Sequence, residues 1–165
     1  MLYALGLLRK WASSIQWKAS IFNANGLQEI ANYLKQYRMK NMNKIIYWIS
    51  TILLVFGMLA SGISQLLHVK EMDELIAHVG YPLYFMYIIG VWKILGVIAI
   101  LIPKQKLLKE WAYAGFFFLM TGALISHLAI GDGGKAILGP LFQTLFIILS
   151  WYFRPADRKI TSYIK

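Results

Sequence analysis

Apolar residues fall along this chain in four long runs, separated by short polar connections, without the alternating or one-faced patterns of a soluble fold. The first extends from about Ile45 to Leu67 and holds no charged side chain. The second extends from about Leu83 to Ile102, is bracketed by Pro82 and Pro103, and has Lys93 as its only charge. The third, about Trp111 to Ile130, stops at Gly131-Asp132-Gly133-Gly134, a sequence that turns and forces a short hairpin. The fourth begins near Ala136, accommodates Pro140 in its first turns and ends near Phe153, before Arg154-Pro155. Each run reaches or approaches the roughly 20 residues that a helix needs to cross a bilayer. The pattern predicts an all-α, polytopic membrane protein built as a four-transmembrane-helix bundle.

Two shorter stretches have helical periodicity without the length to span. Asn25 is placed to cap a helix carrying Leu27, Ile30, Leu34 and Tyr37 at spacings of three and four, with Lys35, Arg38 and Lys40 toward its end. This reads as a helix lying on a membrane surface. The run Met1–Leu8 is too short to span, and Arg9 and Lys10 follow it instead of preceding it, unlike a secretory signal peptide. In the connection 68–82, Val69, Met72, Ile76 and Val79 form one stripe while Glu71, Asp73 and Glu74 point elsewhere, predicting a short interfacial helix.

Composition agrees with the pattern. Hydrophobic residues make up 59% of the chain and charged residues 15%, an excess that a bilayer can absorb and water cannot. The net charge of +10 does not point to nucleic acid, because the basic residues sit beside the apolar runs instead of covering a folded surface. They report orientation. Residues 1–44 hold seven Lys and Arg, the 103–110 connection holds Lys104, Lys106 and Lys109, and the tail holds Arg154, Arg158, Lys159 and Lys165, whereas the other two connections hold only Lys70 and Lys135. The excess of positive charge on cytoplasmic loops predicts both termini on the cytoplasmic side. Trp48, Trp111 and Trp151 then fall at the cytoplasmic ends of their spans, where an indole can bury its ring and hydrogen-bond at the headgroups. With no cysteine, disulfides, thiolate metal sites and dithiol redox chemistry are excluded.

Helices in lipid meet along small and polar residues, and each span has such a stripe. They are Ser50, Leu54, Gly57, Ser61, Ser64 and His68 in the first; Met86, Gly90, Lys93 and Val97 in the second; Ala112, Gly115, Leu119, Gly122 and Ser126 in the third; Gly139, Gln143, Phe146 and Ser150 in the fourth. A rise of about 1.5 Å per residue puts Lys93 and Gln143 near mid-membrane, with His127, Ser61, Ser64 and Gln65 in the outward half. Inward of Lys93 the stripes are nearly apolar, apart from Ser50 and Ser150. The expectation is an outward-facing polar pocket in which Lys93, His127, Gln143, Ser61, Ser64 and Gln65 bind a small ligand. A lysine at the centre of a span costs about 2.5–3.5 kcal/mol on insertion scales, so a compensating group is required. Backbone carbonyls, Gln143, water or an electron-rich ligand could supply it; a purely structural lysine is the plainer alternative. His68 and His78, near Glu71, Glu74 and Asp132, suggest a proton relay or a metal site, but no HxxxH or HExxH spacing supports metal.

The run Gly80-Tyr81-Pro82, Gly90-Val91-Trp92-Lys93, Leu95-Gly96 and EWAYAGFFF at 110–118, continued by Thr121-Gly122-Ala123, Ser126-His127 and Gly131-Asp132, resembles the DoxX-like family over about residues 42–160. The resemblance implies a four-helix membrane domain in a bacterial cytoplasmic membrane, and the family name comes from subunits associated with thiosulfate:quinone oxidoreduction. Relatives often carry an acid where Leu119 stands, so a lysine–acid pair is not available here. The domain division is an amino-terminal basic amphipathic extension over 1–41, with an upstream start and a functional beginning at Met42 as the alternative; a DoxX-like domain over 42–160; and a short cytoplasmic tail over 161–165. No nucleophile–base pair, phosphate loop or haem motif is visible, which points away from an independent enzyme. The expected function is an accessory or small-ligand-binding component, with a link to quinones or respiratory redox as the candidate the resemblance suggests; the cofactor itself is left open, quinone being one candidate. A small permease or proton-coupled carrier and a structural assembly factor are the alternatives. The expected partners are the lipid bilayer and a membrane protein or a second copy of the chain, with no nucleic acid.

Reporter fusions test the orientation. Those joined after Lys44, Lys106 and Lys165 are expected to report a cytoplasmic location, and those at Asp73 and Gly133 an external one; an external signal at Lys106 would sink the four-span arrangement.

Overall fold

The computed structural model describes residues 10, 11, 13 and 25–160. The chain divides into two units, Met1–Met42 and Asn43–Lys165. The described helices are α1 (Asn25–Leu66), α2 (Lys70–His78), α3 (Tyr84–Leu101), α4 (Lys106–Ala129) and α5 (Gly134–Tyr152), followed by a single 3₁₀ turn at Ala156–Arg158; no strand occurs among the described residues. Four of them, α1, α3, α4 and α5, are long and apolar enough to cross a membrane. The run Met1–Leu8, the side chains of Asn25 and Leu27, and the tail 161–165 lie outside the described residues.

Helix α1 continues without a break through residues 25–66, about 63 Å at the α-helical rise. No glycine or proline stands between Leu27 and Phe56 to interrupt it. It ends where His68 takes a left-handed φ of 49°, letting the amide of Val69 donate to the Ser64 carbonyl at 3.1 Å. Helix α4 ends in the same way: Gly131 has φ 78°, and the Asp132 amide donates back to the His127 carbonyl at 3.0 Å. This six-to-one closure is a Schellman cap, whose left-handed position Gly131 fills without a Cβ penalty and His68 fills against one.

Glycines set the closest helix approaches. A Cβ on Gly90 of α3 would meet the Gly62 carbonyl oxygen of α1 at 3.0 Å, and one on Gly96 would fall 2.6 Å from the Phe116 ring of α4. Around these crossings Leu54, Met58, Val97, Ile100, Tyr113, Phe116, Met120 and Ile147 form a buried core contributed by all four long helices.

The end of the bundle bearing Lys109 differs from the sequence expectation in two respects. Helix α4 begins at Lys106, five residues before the predicted Trp111, because Lys109 is not a loop residue. It is buried, and its ammonium donates to the carbonyls of Ala99, Ile100 and Ile102, which lie at the C-terminal end of α3 and lack helical partners of their own. This half is also far from apolar. Ser150 Oγ lies 2.6 Å from Thr51 Oγ1 and 2.7 Å from Tyr113 OH, joining α1, α4 and α5 through buried hydroxyls. Below them Arg154 pairs with Glu110 and lies over the Tyr113 ring at 5.1 Å. Thr51, Tyr113 and Tyr47 lie outside the small-and-polar stripes because hydroxyl and aromatic residues in an apolar run read as apolar packing until their partners are known.

The Gly62–Gly90 crossing generates a stability prediction. Gly90→Leu should lower the stability of detergent-solubilised protein by about 1–3 kcal/mol, as overpacking does, whereas Gly122→Ala, whose Cβ would meet nothing within 4 Å, should stay within about 0.5 kcal/mol of the parent. Thermal unfolding of both variants checks it; equal losses would mean that the crossing is not close.

Candidate ligand chamber

Helix α1 carries Gly57, Ser61 and Gln65 at intervals of four, so they form one ridge along its surface. Lacking a Cβ, Gly57 leaves room that the Gln143 amide of α5 occupies: a Cβ there would lie 1.5 Å from Gln143 Nε2. From α3, Lys93 turns inward and is only 5% exposed. Its ammonium donates to Ser61 Oγ at 3.1 Å. This hydrogen bond goes to the first span, because the Gly62–Gly90 crossing brings α1 and α3 together one turn away. Helix α4 adds Leu119, Met120 and His127, and α2 adds Met72 and Ile76 with Val79 at its C-cap, lining a chamber of about 400 Å³.

Of the residues singled out in the sequence, Lys93, His127, Gln143, Ser61 and Gln65 line this chamber and Ser64 does not. Ser64 is rotated about 100° from Gln65 on the same helix and so leaves the ridge. The wall supplied by α2, together with Tyr81 and Lys135, was not identified as part of the site. Met72, Ile76 and Val79 were visible as a stripe, but periodicity alone could not say that the stripe covers a cavity. Tyr81 OH lies 3.0 Å from Ser126 Oγ, fastening the α2–α3 connection to α4.

The polar inventory of the chamber is unbalanced. Two lysines, Lys93 and Lys135, line it and no carboxylate does. An ammonium has three donors, and one of those on Lys93 reaches Ser61. Gln65 is 5% exposed, yet its Oε1 has no hydrogen-bond partner among the described residues, and neither has Oε1 of Gln143. Leaving a buried acceptor unmatched costs about 1–3 kcal/mol, and two such acceptors beside spare donors mark a surface shaped for something else to complete.

At the rim, the Schellman cap of α4 folds Asp132 back over the last turn of its own helix. Asp132 Oδ2 lies 2.6 Å from His127 Nδ1, and Oδ1 lies 2.8 Å from His78 Nε2. His127 is buried and His78 exposed. With Nδ1–H given to the carboxylate, a neutral His127 ring keeps only Nε2, as an acceptor, for chamber chemistry. The hydrogen bonds from His78 and His127 hold the Asp132 carboxyl below the usual carboxylate range. His68 takes a different partner: its Nδ1 bonds Asp73 at 2.9 Å and its ring lies 4.4 Å from that of Tyr87. Among the described residues, no three His, Cys, Asp or Glu side chains are grouped to hold a metal ion.

The sign of the Asp132 effect follows from its direction. A carboxyl with a lowered folded-state pKa contributes stability above its unfolded value, about 3.9, and loses that contribution as pH falls through the folded one. The stability difference between the parent and Asp132→Asn should therefore narrow as pH falls from about 5 to below about 4. Thermal midpoints across that range check it; a constant difference down to acid would mean that the two histidines do not act on the carboxylate.

A sequence profile of the DoxX-like family matches residues 49–152, a stretch that includes every residue lining the chamber. No curated protein and no solved structure matches the chain.

Proposed function

The chain belongs to the DoxX-like family of membrane proteins, and we propose that its chamber is the binding site of a small ring-shaped ligand of the quinone and quinol class, with the protein acting as an accessory ligand-binding component of a respiratory or redox assembly. The observation carrying this reading is that one chamber is lined by the buried Lys93 and by two glutamines whose amide oxygens have no partner among the described residues. A quinone carbonyl accepts from the ammonium; a quinol hydroxyl donates to Gln65 or Gln143. Both oxidation states thus find complementary groups in one place, and about 400 Å³ lies within the usual size range of small-ligand pockets. The Lys93 ammonium favours an electron-rich ring oxygen. His127, fixed by Asp132, offers Nε2 to exchange a proton with such a ligand.

In this reading both termini and the Lys109 end lie on the cytoplasmic side of a bacterial inner membrane, and the chamber lies in the outward half, as the distribution of basic residues suggests. A proton-coupled carrier is the second reading, favoured by the chain of hydrogen bonds from exposed His78 through Asp132 to His127 at the chamber. Against it stands the buried apolar core to which Leu54, Met58, Val97 and Met120 belong.

Lys93→Met tests the proposal. The change preserves length and approximate volume and removes the charge. It should leave the purified protein folded and at least as stable, because an apolar residue no longer has to be compensated for burial. Quinone copurifying with the parent, identified by mass spectrometry after gentle solubilisation, should fall by about tenfold or more, corresponding to the loss of a hydrogen bond to a charged group. A stable variant with unchanged quinone content would overturn the role given to Lys93.

A further inference from the structure

A second cavity of about 470 Å³ lies between α3 and α4, and no charged side chain lines it. Its lining includes Gly96, Ala99, Ala112 and Gly115, with Trp92 and Trp111 beside them. Small residues on two facing helices leave a groove where larger ones would have filled the seam. Both tryptophans are well exposed on the outer surface of the bundle, so the groove belongs to the surface that faces lipid. Ile89 and Leu119 line this groove and also line the Lys93 chamber. These two aliphatic side chains stand between a polar compartment and an apolar one, at a place where a bilayer protein would otherwise close its seam.

Resting on the reading of the chamber as a quinone-class site, we infer that the natural ligand is an amphiphile: its ring occupies the Lys93 chamber and its isoprenoid chain leaves past Ile89 and Leu119 to lie in the α3–α4 groove. The two compartments divide the chemistry as such a molecule does. The ammonium donors of Lys93 and the unpartnered Gln65 Oε1 belong to the chamber, while the groove presents mainly aliphatic and aromatic carbon. Entry is then lateral, from the bilayer. A chain that partitions into lipid arrives with its tail already desolvated, and only the ring has to pass the aliphatic pair.

Glycines make the two compartments separately testable. A Cβ on Gly115, in the groove, or on Gly139, in the chamber, would meet nothing within 4 Å, so a larger side chain at either position projects into open space and not into the core. The probes are menadione, a naphthoquinone without a chain, and phylloquinone, a naphthoquinone of the same ring type with a phytyl chain, titrated into the full-length protein in lipid nanodiscs of one composition. Comparing variants within each probe cancels its partitioning. Gly115→Phe is expected to weaken phylloquinone by about tenfold or more, since displacing even two chain methylenes accounts for that much, and to leave menadione within about twofold. Gly139→Phe is expected to weaken both. Gly115→Leu, a smaller intrusion, provides the same comparison should the larger ring disturb folding, which the thermal midpoint reports. If Gly115→Phe and Gly115→Leu leave phylloquinone unchanged while Gly139→Phe removes both probes, or if the groove variants weaken both probes equally, the tail assignment is overturned and the chamber reading stands. If the parent binds neither probe, or Gly139→Phe changes neither, the chamber reading itself fails and the tail assignment fails with it.

Discussion

A lysine ammonium partway along an otherwise uncharged spanning helix must be satisfied from within the bundle, because hydrocarbon offers it nothing. Much of the arrangement of this protein around α3 follows from that requirement. Lys93 reaches Ser61 because α1 and α3 approach closely, and they approach closely because Gly62 and Gly90 have no Cβ to hold them apart. The same lack of bulk at Gly57 admits the Gln143 amide, so α5 is drawn to the same level. A charge, three glycines and two amides thus occur together for one physical reason: polar atoms in a membrane must converge, and convergence requires thin helices.

The turn after α4 extends this logic to the rim. Gly131 permits the left-handed residue of a Schellman cap, and the cap returns the chain so that Asp132 meets His127 five residues earlier. The carboxylate also holds His78 at the end of α2, and α2 forms a wall of the chamber. A backbone conformation available mainly to glycine therefore fixes the orientation of an imidazole in the chamber and fastens the short helix beside it.

The long helices were legible in the sequence because hydrophobic run length is a direct consequence of bilayer thickness. Lys93, Gln143, Gln65 and His127 were legible as a set because a rise per residue converts sequence position into depth. Azimuth is harder to read. Ser61 and Ser64 are both small and polar, at nearly the same depth, yet only Ser61 is on the ridge with Gly57 and Gln65; which face of α1 turns inward is decided by the Gly62–Gly90 crossing, a property of two helices jointly. Lys109 illustrates a different blind spot. A lysine beside a proline-containing connection reads as a topogenic loop charge, and only the geometry of the α3 C-terminus reveals that bare carbonyls there draw it inward.

The two ends of the bundle solve the same polar problem in opposite ways. At the Lys109 end the groups answer one another: the Lys109 ammonium meets carbonyls, Ser150 joins Thr51 and Tyr113, Glu110 accepts from both Arg154 and Trp151 Nε1, and Arg158 donates to Tyr47 OH. Even the Arg154 nitrogens without a hydrogen-bond partner belong to a guanidinium lying over the Tyr113 ring, a favourable position for a cation. In the chamber, two glutamine oxygens and spare lysine donors remain unanswered within reach of open volume. Matched polar groups lock helices together, whereas unmatched ones in a cavity raise the energy of the empty site and so favour whatever completes them. Leu54, Met58, Val97 and Met120 pack into the buried apolar core, so that one end of the bundle has its polar groups matched while the other remains receptive.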